Sequence, residues 1–194
     1  SVILRASPEI VVQKMLAGRH DVFPVGHIDR LKTIRGVASA DGRLWGYYFD
    51  RHVAANYTFL VPSMSPLDDT DNIDAEDQES LEFDASSVEP LYQLDLTALT
   101  PGTIIIGQGI ARIRHASVGD SLFFLAFDGT VLDLRIGGFL SSRSELVSSD
   151  LILTTEADFR RLFGIPHDAV TDVTVSVRNP REIPTIAGKI ARLL

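Results

Sequence analysis

Five histidines and twenty-six carboxylates are the side chains of this chain best suited to binding a metal or moving a proton. His20, His27, His52, His115 and His167 share neither helical nor strand pairing, so a histidine metal site would require the fold to gather remote positions. Each is expected at the surface or in a turn. Asp69, Asp71 and Asp74 lie close enough to suggest a calcium loop. They miss the EF-hand pattern, because Ile73 takes the fifth position, Asp74 the sixth where glycine is required, and Ser80 the twelfth where a bidentate glutamate belongs. Gly138-Phe139-Leu140-Ser141 is not a nucleophile elbow, and no partner is placed for the serines of 141–149, which read as a polar loop. Gly107-Gln108-Gly109 begins like a dinucleotide fingerprint, but Arg112 stands where the third glycine or alanine belongs, and there is no P-loop. The chain has no cysteine, which excludes disulfides and thiol chemistry. No catalytic, cofactor or metal site is expected.

The aromatic residues offer a different chemistry. Trp45, Tyr47 and Phe49 fall on one face of a strand and Tyr48 on the other, with Tyr57 following in Asn56-Tyr57-Thr58-Phe59. Aromatic faces anchor partners and apolar ligands, so Trp45, Tyr47, Tyr48, Phe49 and Tyr57 are candidate contact residues. The same rings would also serve to fill the core between this hairpin and the rest of the body.

Charge is concentrated in one place. Residues 66–90 hold ten acids and no lysine or arginine, so of the 26 acids in the chain 16 remain elsewhere against 18 bases, and the net charge of −8 resides in that segment. A self-repelling solvated surface loop is the expectation. Nucleic acid is excluded as a partner, since it needs a concentrated basic surface. A length of 194 residues with 45% hydrophobic content is enough for a real core. The longest uninterrupted apolar run is the six residues 122–127, too short to span a bilayer. Residues 1–6 read as a short strand and not as a signal peptide. With an apolar strand at one end and Leu193-Leu194 at the other, the chain reads as a segment excised from something larger.

These residues must be positioned by a small set of elements. Residues 2–5 read as a strand. Ser7, Pro8 and Glu9 would open a helix to Gly18, while the β-branched Ile10, Val11 and Val12 favour extended chain; both readings stand. Val25, Ile28, Leu31 and Ile34 recur at three-residue steps, predicting an amphipathic helix over 24–34 that Gly36 ends. Strands at 37–49 and 54–61 follow, paired as a hairpin around Asp50-Arg51-His52. Ile104, Ile105 and Ile106 form a strand covered on both faces, stopping at Gly107, and 108–115 suits two helical turns. After the Val118-Gly119-Asp120 turn, apolar arms at 123–127 and 131–136 flank Asp128-Gly129, a dipeptide suited to a two-residue type I′ hairpin, and Gly137-Gly138 closes the second arm at a bulge or bend. Thr155 caps a helix with Asp158 three residues on, and Gly164-Ile165-Pro166 stops it. Val173, Val175 and Val177 alternate with polar residues as a half-exposed strand. Asn179-Pro180 breaks it, and a helix from about Arg181 buries Ile183, Ile186, Ile190 and Leu194.

The order Ile106-Gly107, short helix, Val118-Gly119-Asp120, apolar hairpin, Gly138-Phe139 strand end and apolar strand 150–153, continued by the helix at 155–164 and the strand and helix at 171–194, resembles the extracytoplasmic domain of MacB/LolC/FtsX-type ABC transporter permeases. The resemblance covers nearly the whole chain, more closely after residue 102 than before residue 40. It implies an α+β fold of two lobes: a Porter-like lobe from both chain ends (1–58 and 170–194) and an inserted β-rich Sabre-like lobe (59–169) carrying the acidic loop 66–90. It also implies a non-catalytic domain on the periplasmic face of a bacterial inner membrane, tethered by flanking transmembrane helices. Such a domain couples ATP-driven helix motion to export, lipoprotein transport or partner activation. Its implied partners are a cytoplasmic ATPase, a second permease copy, and a periplasmic adaptor, lipoprotein or cell-wall hydrolase. The competing classes are a free-standing hydrolase and a periplasmic small-molecule binding module.

Overall fold

The computed structural model describes residues 10–62, 96–140 and 149–194. The expected strand at 2–5, the helix cap at Ser7, the acidic segment 66–90 and nearly all of the serine-rich stretch lie outside these residues.

Of the two readings open for the start of the chain, the extended one holds. Strands β1 (Ile10–Val12), β2 (Lys14–Leu16) and β3 (Arg19–Asp21) follow one another, with β2 and β3 paired as a hairpin. The β-branched residues restrict χ1 and resist a helix, and Ala17 and Gly18 take the turn with φ of +50° and +78°, both positive as in a type I′ turn. After β4 (Phe23–Pro24), helix α1 (Gly26–Lys32) is shorter than the 24–34 span expected and buries Ile28 and Leu31.

The strand expected over 37–49 is two strands in two sheets, β5 (Val37–Arg43) and β6 (Trp45–Asp50), with the change at buried Leu44. The Arg43 carbonyl still accepts from the Thr171 N–H, whereas the Leu44 carbonyl already accepts from Val61. Strand β7 (Ala55–Leu60) completes the expected hairpin with β6. The lobe boundary expected at 58/59 lies within β7.

Then come β8 (Thr103–Ile106), α2 (Gln108–Arg114), β9 (Ser121–Leu125), β10 (Val131–Phe139), β11 (Leu151–Thr154), α3 (Glu156–Phe163), β12 (Ala169–Val170), β13 (Asp172–Val177) and α4 (Ile183–Leu193). The chain is α+β. A three-stranded sheet has the order β1-β13-β5, and a six-stranded sheet the order β6-β7-β11-β8-β10-β9. Most buried side chains of both sheets belong to one continuous cluster, from Val12 and Val173 through Phe59 and Phe124 to Ile136, with Ile105, Leu140 and Leu153 in a smaller second one.

Local chemistry explains the joints. Thr155 caps α3 by accepting from the Asp158 N–H, and Gly164, at φ +69°, ends it. At Gly137-Gly138 the register of β10 against β8 slips as expected, and a Cβ on Gly137 would lie 2.9 Å from the Ala98 carbonyl oxygen. The Asp128-Gly129 hairpin forms with a different turn from the one expected. Only Gly129 has positive φ, the Gly129 N–H reaches the Ala126 carbonyl, and Ala126 bonds Thr130 across the loop. This is a three-residue loop with a glycine bulge, fixed by the Asp128 carboxylate accepting from the Thr130 N–H and hydroxyl. Leu194, expected inside, is exposed at the end of α4, while Ile186 and Ile190 are buried.

Candidate functional site

The aromatic hairpin divides as its alternation requires. Tyr47 and Phe49 are 70% and 55% exposed, Trp45 is half-buried beside them, and Tyr48 turns inward against Phe59 and Phe124. Tyr57 and Phe59 lie in the core. Tyr48 and Tyr57 thus fill the interior, while Trp45, Tyr47 and Phe49 lie on the outward face.

A cleft of about 330 Å³ opens on that outward face, lined by Met15, His20, Trp45, Gly46, Tyr47 and Thr171. It continues past Phe163 and Ile165. The β2–β3 hairpin brings Met15 and His20, β6 brings Trp45 and Tyr47, and the chain around α3 and β12 brings the rest. His20 lies over Trp45 with ring centroids 6.0 Å apart, and Trp45 meets Tyr47 edge-on at 5.3 Å. Gly46 leaves the Phe163 ring room, since a Cβ there would come within 3.1 Å of it.

Trp45 is held in place. Its indole N–H donates to Asp172 Oδ2 at 3.0 Å, and Asp172, fully buried, receives both Nε and Nη2 of Arg43 at 2.7 and 2.6 Å. The Thr171 hydroxyl accepts from the Trp45 N–H and donates to the Trp45 carbonyl. A fork-to-carboxylate pair of this kind is geometrically specific, so the indole plane is fixed before anything enters the cleft. The cleft's other charge is also matched: Lys14 lies 2.6 Å from Asp21, and that ion pair, with the Val22 N–H, holds the Asp21 carboxyl below the usual carboxylate range. Met15, Trp45 and Tyr47 thus give the cleft an apolar and aromatic wall beside the polar Gln13, His20 and Thr171, and the Asp21 carboxylate at its margin is already paired.

The other candidates stay apart. Among the described residues no three His, Cys, Asp or Glu side chains gather as a metal site. His27 meets the edge of Phe23, and His115 ends α2 at φ +49°. The Gly107-Gln108-Gly109 glycines serve packing: Gly107 caps α2, and a Cβ on Gly109 would lie 2.6 Å from the Ser149 carbonyl oxygen. Met15, His20, Phe163, Ile165 and Thr171 had no signal in the sequence, because the cleft takes them from separate segments.

No family model matches the chain, and no curated protein matches it in sequence. Among solved structures it is similar to the extracellular domain of a noncanonic ABC-type transporter, YknZ, from Gram-positive bacteria. The identity is 15% and the TM-score 0.46, over 89% of this chain and 82% of that one. So distant a likeness assigns no residue of this chain a role. No helix among the described residues is long and apolar enough to cross a membrane.

Proposed function

We propose that this chain is a non-catalytic extracytoplasmic domain of an ABC transporter permease of the MacB/FtsX type. The observation that carries the reading is topological. β1 and β13, strands from opposite ends of the described chain, lie side by side and antiparallel in one small sheet, and the large sheet is built between them. A body hung on two membrane helices needs both connections on one side and a rigid insert beyond them. In this reading the ends form the Porter-like lobe and the insert the Sabre-like lobe, with the order of elements after residue 102 matching the family pattern. The partners are then a cytoplasmic ATPase, a second permease copy, and an adaptor, lipoprotein or cell-wall hydrolase on which the outer lobe acts. ATP-driven rigid-body movement of the membrane helices is the coupling step.

The chain's lack of cysteine makes a direct test available. Val118, 56% exposed in a turn, is replaced by cysteine in the full-length parent protein. A membrane-impermeant maleimide labels it in intact cells if the domain is extracytoplasmic. Labelling only after permeabilisation, or a parent polypeptide without a transmembrane helix on either side, defeats the reading.

A second reading rests on the cleft at Trp45, whose volume is at the small end of ligand sites. A periplasmic binding module would use it for an apolar ligand. A thermal-shift screen with lipids, peptides and antibiotics, repeated on Trp45→Ala, separates the two: a ligand of this cleft loses its stabilising effect in the variant, and the mechanical domain has no such ligand.

A further inference from the structure

The six-stranded sheet curls until its edge strands, β6 and β9, face each other, yet they do not pair. In the β6–β7 register the Val61 N–H bonds the Leu44 carbonyl, so Gly46, Tyr48 and Asp50 turn their backbone groups to β7, while Trp45, Tyr47 and Phe49 turn theirs to the open edge. Thr58, opposite Tyr47, directs its N–H to Asp150 on the far side, as this alternation demands. The Thr171 hydroxyl satisfies Trp45. Among the described residues nothing pairs with the N–H and C=O of Tyr47 and Phe49.

The same holds across the seam. The Ala126 to Thr130 bond sets the β9–β10 alternation, so Phe123 and Leu125 point their backbone groups outward. Among the described residues only the Leu125 N–H of these is taken, by the Tyr48 hydroxyl at 2.9 Å, and just past the strand the Phe127 N–H bonds the Leu162 carbonyl, so the end of α3 closes the seam on that side. The Tyr48 side chain, and no backbone ladder, thus bridges the two edges. The side chains at the free positions are apolar and exposed: Tyr47 70%, Phe49 55%, Phe123 56% and Leu125 56%.

We propose that this seam is a strand-acceptor site, in which an extended segment of a partner polypeptide inserts between β6 and β9 and displaces the Tyr48 hydroxyl from Leu125. The partial charges of the two edges select the occupant. Alternating N–H and C=O groups on both sides are matched only by another backbone; a lipid chain or a compact ligand leaves them unpaired. The edges run antiparallel to each other, so the guest strand is parallel to one and antiparallel to the other. Its side chains are constrained as well. The interior behind the seam is already filled by Tyr48 packed on Phe124, with ring centroids 5.3 Å apart, so inward positions take small residues. Outward positions lie among Tyr47, Phe49, Phe123 and Leu125 and take apolar ones. The seam would accept such a segment whether or not the domain belongs to a transporter.

The test is panning of a random displayed decapeptide library on the full chain, with Tyr47→Pro and Phe123→Pro variants as counter-targets. Proline at either position removes an outward donor and leaves the inner ladder whole. The expected result is enrichment of sequences alternating small and apolar residues. The enriched peptide, made synthetically, slows amide exchange of Tyr47, Phe49 and Phe123. Its affinity falls about tenfold or more on either proline variant of unchanged melting temperature, the loss of at least one net hydrogen bond. Tyr48→Phe, which frees the Leu125 N–H, binds it more tightly. The proposal is overturned if nothing enriches, if enrichment is equal on the proline variants, if protection appears elsewhere, or if β6 instead pairs with β6 of a second copy.

Discussion

Two buried carboxylates divide the molecule. Asp172, in the three-stranded sheet, and Asp50, in the six-stranded sheet, are each paired with an arginine and sit beside an aromatic ring. Around Asp172 every group is matched, with Arg43 forked onto both oxygens and the Trp45 indole N–H donating. Around Asp50, Arg114 and the His52 N–H take the two oxygens, and the neighbouring Tyr57 hydroxyl, although buried, has no hydrogen-bond partner among the described residues. Burial raises the Tyr57 phenol above its ordinary range, and the Asp50 charge adds to the shift. Similar parts thus do different work: the complete network fixes a ring at the surface cleft, and the incomplete one ties the end of α2 to the β6–β7 hairpin.

The sharpest way to break the contrast is Asp172→Ala. It leaves a partly buried guanidinium and an indole N–H without their acceptor, at a cost of about 3 kcal/mol, the low end for a broken buried pair because Arg43 keeps some solvent. Urea unfolding measures the loss. Trp45 is the only tryptophan, so red-shifted emission in the folded variant reports release of the ring. Asp50→Ala loses fewer bonds but strands Arg114, which is more deeply buried than Arg43. A similar cost of about 3 kcal/mol is expected, with the tryptophan emission unchanged.

Tyr57→Phe is expected to fall within about 1 kcal/mol of neutral, since it removes a buried hydroxyl without a hydrogen-bond partner among the described residues. A larger loss would mean that the hydroxyl is bonded to the Asp50–Arg114 pair. The variant also changes the alkaline limb. A phenol whose folded pKa is raised holds its proton more tightly in the native state. Its contribution is therefore full below the unfolded pKa and is lost as pH rises through the folded one. Stability measured across that window should fall in the native chain and stay flatter in Tyr57→Phe. The smallest effect lies at the exposed hairpin. The Thr130 N–H and hydroxyl hold the Asp128 carboxyl below its ordinary range. Thr130→Ala keeps the N–H and loses the hydroxyl, so the Asp128 pKa, followed by NMR, should move part of the way back up.

Elements whose cause is local were legible in the sequence. The triple isoleucine of β8, the Thr155 cap and Gly164 stop of α3, the valine alternation of β13 and the glycine pair of β10 appear where their residue types require them. The misreadings have a tertiary cause in one case and a side-chain cause in the other. A single strand was read over 37–49 because Asp41-Gly42 stays in the β5–β13 ladder and makes no turn, while the change of partner from β13 to β7 comes at the apolar Leu44. The Asp128-Gly129 turn was misread because one positive φ suffices when the Asp128 side chain braces Thr130. Trp45, Tyr47 and Phe49 were visible as a face, while the cleft beside them was not.

By itself the sequence determined the α+β class, the absence of cysteine chemistry, the placing of its negative charge in one segment and the two faces of the aromatic strand. All of these follow from composition or from periods of two and about 3.6 residues. Only the tertiary structure decided that Trp45 is locked by Asp172, 127 positions away, and that β6 and β9 meet without pairing. Both are contacts between segments remote in the chain, set by how the sheet curls and where its strands change partners, and residue spacing carries no record of either.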